Sequence, residues 1–348
     1  MSRIASIASM RSDMSGAATL LDDIKGGRCN ISPMTTSGRR VHIVKMLFFP
    51  FVPASILFVL ICTALHDTLA ERRLIIQIDE SIHGLKSINE LVHSLQLELE
   101  IVTFYLANDS NQTVARLMPY FNDTIEALDG ISEWPKATAE LGYHYDSKEH
   151  FKSFLINERM SIVLRNKTIQ EAIRFYETLN YVFIDLFTEG IQNPGNSLIW
   201  EDLLALKFIL RAKENTVIML AYGQEYITSG HLPLADHVSF IENNVLSEDH
   251  LESCFRFNQE AKALYHELLV NDGYDEVYLM TLISWIIEEK QGLISQDTAM
   301  AWFSNATTLL MIFKEIEEYV ILQLEEDIKE AFDNSVAEVR LSIMLMLL

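Results

Sequence analysis

Few side chains in this sequence stand at spacings that could do chemistry. His250 and Cys254 lie one helical turn apart, and His144, Asp146, Glu149 and His150 cluster within a short stretch. Imidazole, thiolate and carboxylate are the donors zinc prefers. Neither group has the spacing of a zinc motif, so both read as surface or core residues, and no metal or cofactor is expected. Glycine patterns that cradle phosphate, HExxH, paired CxxC and the GxSxG elbow are all absent from the sequence. Acidic runs at 288–289, 317–318 and 325–327 read as solvated helix faces. With no catalytic group in view, the chain is not expected to be an enzyme.

The elements that carry these residues begin with a membrane anchor. Met46 to Leu65 is an uncharged run of twenty residues. At about 1.5 Å per residue it spans a hydrocarbon core of about 30 Å. Forty-five residues precede it, too many for a cleaved signal peptide, so it reads as a signal-anchor. Arg39, Arg40 and Lys45 lead into the run, whereas Arg72 and Arg73 follow behind Asp67 and Glu71. That asymmetry places the N-terminus in the cytoplasm. Five of the six N-x-[S/T] matches, Asn108, Asn111, Asn122, Asn166 and Asn305, stand beyond the run and one, Asn30, before it, which suits an extracellular or lumenal bulk.

Composition supports an ordered, helix-rich domain. Of 348 residues 49% are hydrophobic, with only 13 Gly and 7 Pro. The first 45 residues hold seven Lys/Arg against three Asp/Glu, while the rest holds 20 basic against 46 acidic residues. A domain so acidic repels phosphate backbones, so nucleic acid is excluded as a partner. Cys29, Cys62 and Cys254 fall one per region, which leaves no disulfide within the acidic domain, and Cys254 reads as a buried small hydrophobe.

Residues 1–45 read as a disordered tail, 46–65 as the span, 71–338 as the helical domain and 341–348 as a further apolar segment. Ile78, Leu85, Val92, Leu99 and Leu106 recur every seven residues, with Ile75, Ile82, Ile88, Leu95 and Val102 between them. This spacing predicts that the span continues as one helix to about Ala107. Further helices are predicted at 111–129, 148–164, 168–190, 198–230, 247–270, 275–290 and from 296 onward. Breaks are expected at Asp129-Gly130, Trp134-Pro135, Asn193-Pro194-Gly195, Leu232-Pro233 and Asp272-Gly273, with Ser247 as an N-cap. The last helix carries Leu309, Phe313, Ile316, Val320, Leu324 and Ile328 on one stripe and ends in LSIMLMLL. That run is either a buried terminal turn or, preferred here, the start of a second transmembrane helix.

The stretch LVHSLQLELEIVTFYLAND, followed by LMPYFNDTIEALDGI, INERMSIV, IRFYETLNYVFIDLF, RAKENTVIMLAYGQEYITSGHL and FNQEAKALYHELL, resembles the nitrate- and nitrite-sensing (NIT) domain family over about residues 75–335. The resemblance implies an all-α fold of two packed helical bundles. It also implies the kind of ectodomain that sits between two membrane helices in animal receptor guanylate cyclases. Family arginines would stand where this chain has Leu99 and Leu220; a family segment like KExxGxER matches at Lys213 and Glu214 but not at Val217 and Met219. Arg159 matches a family-like position and is the remaining ligand-binding candidate, its other reading being a salt bridge with a neighbouring acid. Charge and forked donors are what a planar anion needs. The reading is therefore a membrane-anchored sensory ectodomain with a degenerate anion site, expected as a homodimer. The alternative is a helical interaction protein that senses nothing.

Overall fold

A computed structural model describes residues 36–107, 114–135, 142–189, 197–271, 274–290 and 295–347. The described residues are almost entirely helical and include no strand. In chain order the helices are α1 (Thr36–Ala107), α2 (Val114–Gly130), a 3-10 turn (Tyr143–Tyr145), α3 (Lys148–Val163), α4 (Ile169–Glu189), α5 (Ser197–Ser229), α6 (Leu234–Phe257), α7 (Gln259–Asn271), α8 (Glu276–Ile287) and α9 (Gln296–Leu347). Most of the expected tail lies outside the described residues, as do Asn108, Asn111 and the breaks at 193–195 and 272–273.

Local chemistry sets the boundaries. Ser147 caps α3 by accepting the amide of His150 at 3.2 Å. At α4, Thr168 and Glu171 form a reciprocal capping box: the Thr168 amide donates to Oε2 of Glu171 at 2.8 Å, and the Glu171 amide donates to Oγ1 of Thr168 at 3.2 Å. Asp275 caps α8 and Ser295 caps α9 by accepting the amides of Tyr278 and Thr298.

Two boundaries depart from the sequence reading. Residues 36–45, placed in the tail, are already helical. They contain no proline, and extending a nucleated helix is far easier than starting one. Ser247 is not an N-cap but sits inside α6, buried, with its hydroxyl 2.5 Å from that of Thr216. The actual break is at Asn258, whose side chain accepts the amide of Ala261 at 2.8 Å and so starts α7. A serine among acidic residues looks like a cap in sequence, but here a cross-helix hydroxyl partner satisfies it.

Leu69–Glu338 form one compact unit, and the described residues up to Thr68 with those from Val339 onward form another. The stretch Ile43–Asp79 of α1 is long and apolar enough to cross a membrane. Leu47, Phe48, Phe49, Phe51, Leu57 and Phe58 are all exposed there, on every side of the helix. The end of α9 exposes Leu341, Ile343, Met344 and Leu345, so the buried-turn reading of that segment does not hold.

The compact unit Leu69–Glu338 is built as two bundles that share α5 and α9. In the first, α1 to α4 pack with α5, and the predicted stripe Ile75, Ile82, Val92, Leu95, Leu99 and Val102 is buried. Burying each such side chain contributes about 1.5–3 kcal/mol. In the second, α6, α7 and α8 pack against α5 and α9 around Phe240, Cys254, Leu279 and Phe313. Close helix approach needs one glycine: a Cβ at Gly223 would fall 2.1 Å from Trp302, whose indole N–H donates to the Leu220 carbonyl at 3.0 Å.

Candidate functional site

The core of the first bundle is crossed by a seam of buried polar side chains. Asn89, His93, Gln96 and Glu100 follow one another on α1 at spacings of four, three and four, so they share one face. All four are buried, together with Asn180 on α4, Lys213, Glu214 and Gln224 on α5, and Glu317 on α9. Cross-helix pairs fix the register. Asp185 with Arg211 and Gln170 with Glu225 make α4 antiparallel to α5, and Lys86 with Glu325 and Lys314 with Glu90 make α9 antiparallel to α1.

At one level of the seam, Lys213 Nζ lies 2.8 Å from Oε2 of Glu317, with side chains 1% and 0% exposed. Asn89 donates to the same oxygen at 3.2 Å. Burial pushes Lys213 down and Glu317 up, and each charge opposes the other's shift. His93, beside them, is held neutral by burial and by the charges of Lys213 and Lys314. Above this level a groove of about 250 Å³ opens between α1 and α9, lined by Lys86, Asn89, Glu90, Glu318, Ile321 and Leu322.

At the next level, Gln96 donates to Oε2 of Glu214 at 2.7 Å. Burial raises the Glu214 carboxyl to about 7. Asn180 faces this carboxyl closely enough to favour its charged form, yet neither amide atom of Asn180 has hydrogen-bonding geometry to any protein group. Oε1 of Gln96 and Oε1 of Glu214 are likewise unpartnered. Buried polar atoms are almost always paired, so such a concentration marks a functional place more readily than a structural one.

Glu100 has both carboxyl oxygens buried without a partner, and burial alone raises it to about 8. The linkage has a definite sign. A carboxyl raised from 4.5 in the unfolded chain to about 8 in the folded one keeps its full contribution below pH 4.5. That contribution is lost progressively as pH climbs through about 8, where the folded protein is asked to hold a bare buried charge. Glu100→Gln should therefore flatten the fall in stability between pH 5 and 9, read as urea midpoints of variant and wild type across that range. Parallel profiles would show that Glu100 is not the group responsible.

Arg159 belongs to a different hub, between α1, α2, α3 and α4. Its Nε donates to Oε1 of Glu98 at 2.7 Å and its Nη2 to Oε2 of the same carboxylate. Thr124 and Tyr176 donate to that carboxylate at 2.5 and 2.6 Å. The guanidinium also lies 4.5 Å from the Phe121 ring centroid. Its Nε, its Nη2 and its face are thus occupied by the protein.

Leu99 and Leu220 are both fully buried and contribute only apolar wall. His150 is within 2.7 Å of the Tyr143 hydroxyl, His144 stacks on Phe154, and His250 contacts Asn215 at 2.9 Å while Cys254 is buried. No group of three or more metal donors occurs among the described residues. Among the glycosylation candidates, Asn122 and Asn166 are exposed. Asn305 is half-buried, and its side chain accepts from Asp275 and donates to the Ala301 carbonyl.

Sequence reading missed most of the seam. Glu317 was assigned to a solvated face and is in fact fully buried, whereas Glu318 beside it is exposed. A signal existed on α1, where the four polar residues follow the heptad themselves and adjoin its apolar stripe. Charged residues beside a stripe ordinarily face water, and only the bundle's width turns them inward.

The family described as nitrate and nitrite sensing matches residues 90–325. The solved structure of the NasR transcription antiterminator aligns at a TM-score of 0.59 and 16% identity, covering 78% of this chain and 79% of that one, a likeness of fold. No curated protein matches. With the family spanning most of its length and the fold agreeing, this chain is a member of the nitrate- and nitrite-sensing (NIT) family.

Proposed function

We propose that this chain is the sensory part of a membrane-anchored receptor, reading a small ligand in the buried seam of its first bundle. The observation that carries this is the row of unpartnered polar atoms on α1, α4, α5 and α9. Two of those helices, α1 and α9, also supply the ends of the compact unit. A ligand that bridges the seam would favour one arrangement of α1 against α9 over another, which is what signalling along a helix requires.

The charge asymmetry around the apolar run and the exposed Asn122 and Asn166 support an N-terminus inside and a helical domain outside. Within this reading the chain is the glycosylated ectodomain of a receptor guanylate cyclase-like protein and acts as a homodimer. Nitrate is disfavoured as the ligand. The positions of the family arginines are Leu99 and Leu220, and Arg159 and Lys213 are each neutralised by their own carboxylate. The second reading, an interaction protein that senses nothing, draws on exposed Val277, Met280 and Trp285 of α8.

Spin labels at Ile76 and Glu330, on the exposed faces of α1 and α9, separate the two readings. In the full chain held in nanodiscs, Glu214→Gln should shift the label distance distribution measured by pulsed electron resonance. A distribution that stays put would mark a rigid bundle and favour the interaction reading.

A further inference from the structure

We propose that Glu214, Gln96 and Asn180, contributed by α5, α1 and α4, form a binding site for a small primary ammonium cation, in place of a planar oxyanion. This rests on the sensory reading above and names the ligand class of the same seam. Once Gln96 has donated to Oε2 of Glu214, three oxygens remain unpartnered: Oε1 of Glu214, Oε1 of Gln96 and Oδ1 of Asn180. All three side chains are at least nine-tenths buried. An ammonium group offers three N–H donors and no acceptor, which complements three acceptors from three helices. Nitrate offers only acceptors and would find one unpartnered donor here, Nδ2 of Asn180, against three oxygens.

The interior charge balance points the same way. Among the described residues six acids are buried, Glu98, Glu100, Asp202, Glu214, Glu225 and Glu317, against one arginine and one lysine, Arg159 and Lys213. Both bases already hold a carboxylate. A second anion in this interior would be repelled by each unpaired acid that is ionised, whereas a cation gains the charge of the Glu214 carboxylate in a low dielectric. Glu177 on α4, half-buried, adds a further negative group, itself opposed by Arg174.

Proton linkage supplies a signature that a structural cluster lacks. Burial, with a smaller push from Glu177, raises Glu214 to about 7, while Gln96, Asn180 and Lys213 oppose the rise. An ammonium ligand requires the carboxylate, so its binding expels a proton and tightens as pH rises. An oxyanion would show the reverse.

The test is calorimetric titration of the full chain in nanodiscs with methylammonium chloride at pH 6, 7 and 8, and with sodium nitrate at constant ionic strength. Methylammonium should bind, with affinity rising several-fold from pH 6 to 8, and nitrate should be silent. Glu214→Gln should abolish binding and its pH dependence. Asn180→Leu, which keeps the carboxylate, should weaken binding at least tenfold and so serves if Glu214→Gln fails to fold. Methylammonium silence at every pH overturns the proposal, as does binding unchanged in the folded variants. Nitrate binding alone would overturn the cation while upholding the sensor. Silence toward both salts with spin labels that still move removes only the cation, and silence with fixed labels removes both readings.

Discussion

Lys213→Met should destabilise the helical domain by about 3–5 kcal/mol, the range for breaking a buried ion pair from one side. Lys213 and Glu317 are fully buried 2.8 Å apart, so the variant leaves Glu317 with only the Asn89 amide as donor. The carboxyl then has to ionise unpaired or take up a proton, and its partner Oε1 already lacks a hydrogen bond. The loss should accordingly be smaller at pH 5 than at pH 8, because burial already raises Glu317 and removing Lys213 takes away an opposing charge. Lys213→Met combined with Glu317→Leu should recover most of the stability, since a matched apolar pair leaves no buried charge behind. Urea midpoints of both single variants, the double variant and wild type at the two pH values give the complete cycle. Additive losses in the double variant would mean that the two residues do not act as a pair.

Arg159→Met is expected to be of similar size, about 3–5 kcal/mol, for a different reason. Glu98 is the meeting point of four donors from α2, α3 and α4, of which Arg159 supplies two. Removing the guanidinium strands a carboxylate that is 0% exposed and also strips the cation from the Phe121 ring. Tyr176→Phe removes one donor only and should cost about 1.5–3 kcal/mol, as a single hydrogen bond to a charged group. The ordering of the two variants is the informative result. If Tyr176→Phe cost as much as Arg159→Met, the hub would be held by the tyrosine ring's packing and not by charge. Amide hydrogen exchange should show the losses in α1 to α4 first, because the hub ties those helices together.

Arg159 matched a family-like position in sequence, and its chemistry would suit a planar anion. In the fold its forked donors are spent on Glu98. A basic residue can therefore keep its place while its charge serves the architecture, and number and type alone do not reveal which.

The long apolar helix, the all-helical class and the buried stripe of α1 were legible because each rests on periodicity or length. An uncharged run of twenty residues without a helix breaker at its centre makes a long apolar helix, and a heptad that buries Val92, Leu95, Leu99 and Val102 repeats whatever the neighbours do. Caps at Ser147 and Asp275 involve partners three residues away and are decided locally. Tertiary structure alone decided which polar residues face inward. Glu317 and Glu318 are adjacent and identical in type, yet one is buried against Lys213 and the other is exposed, a distinction set by the helix that packs on α9. The same holds for Ser247, a cap by its neighbours and a core hydroxyl by its partner Thr216. Burial is a property of the pair of surfaces that meet, and a sequence carries only one surface at a time.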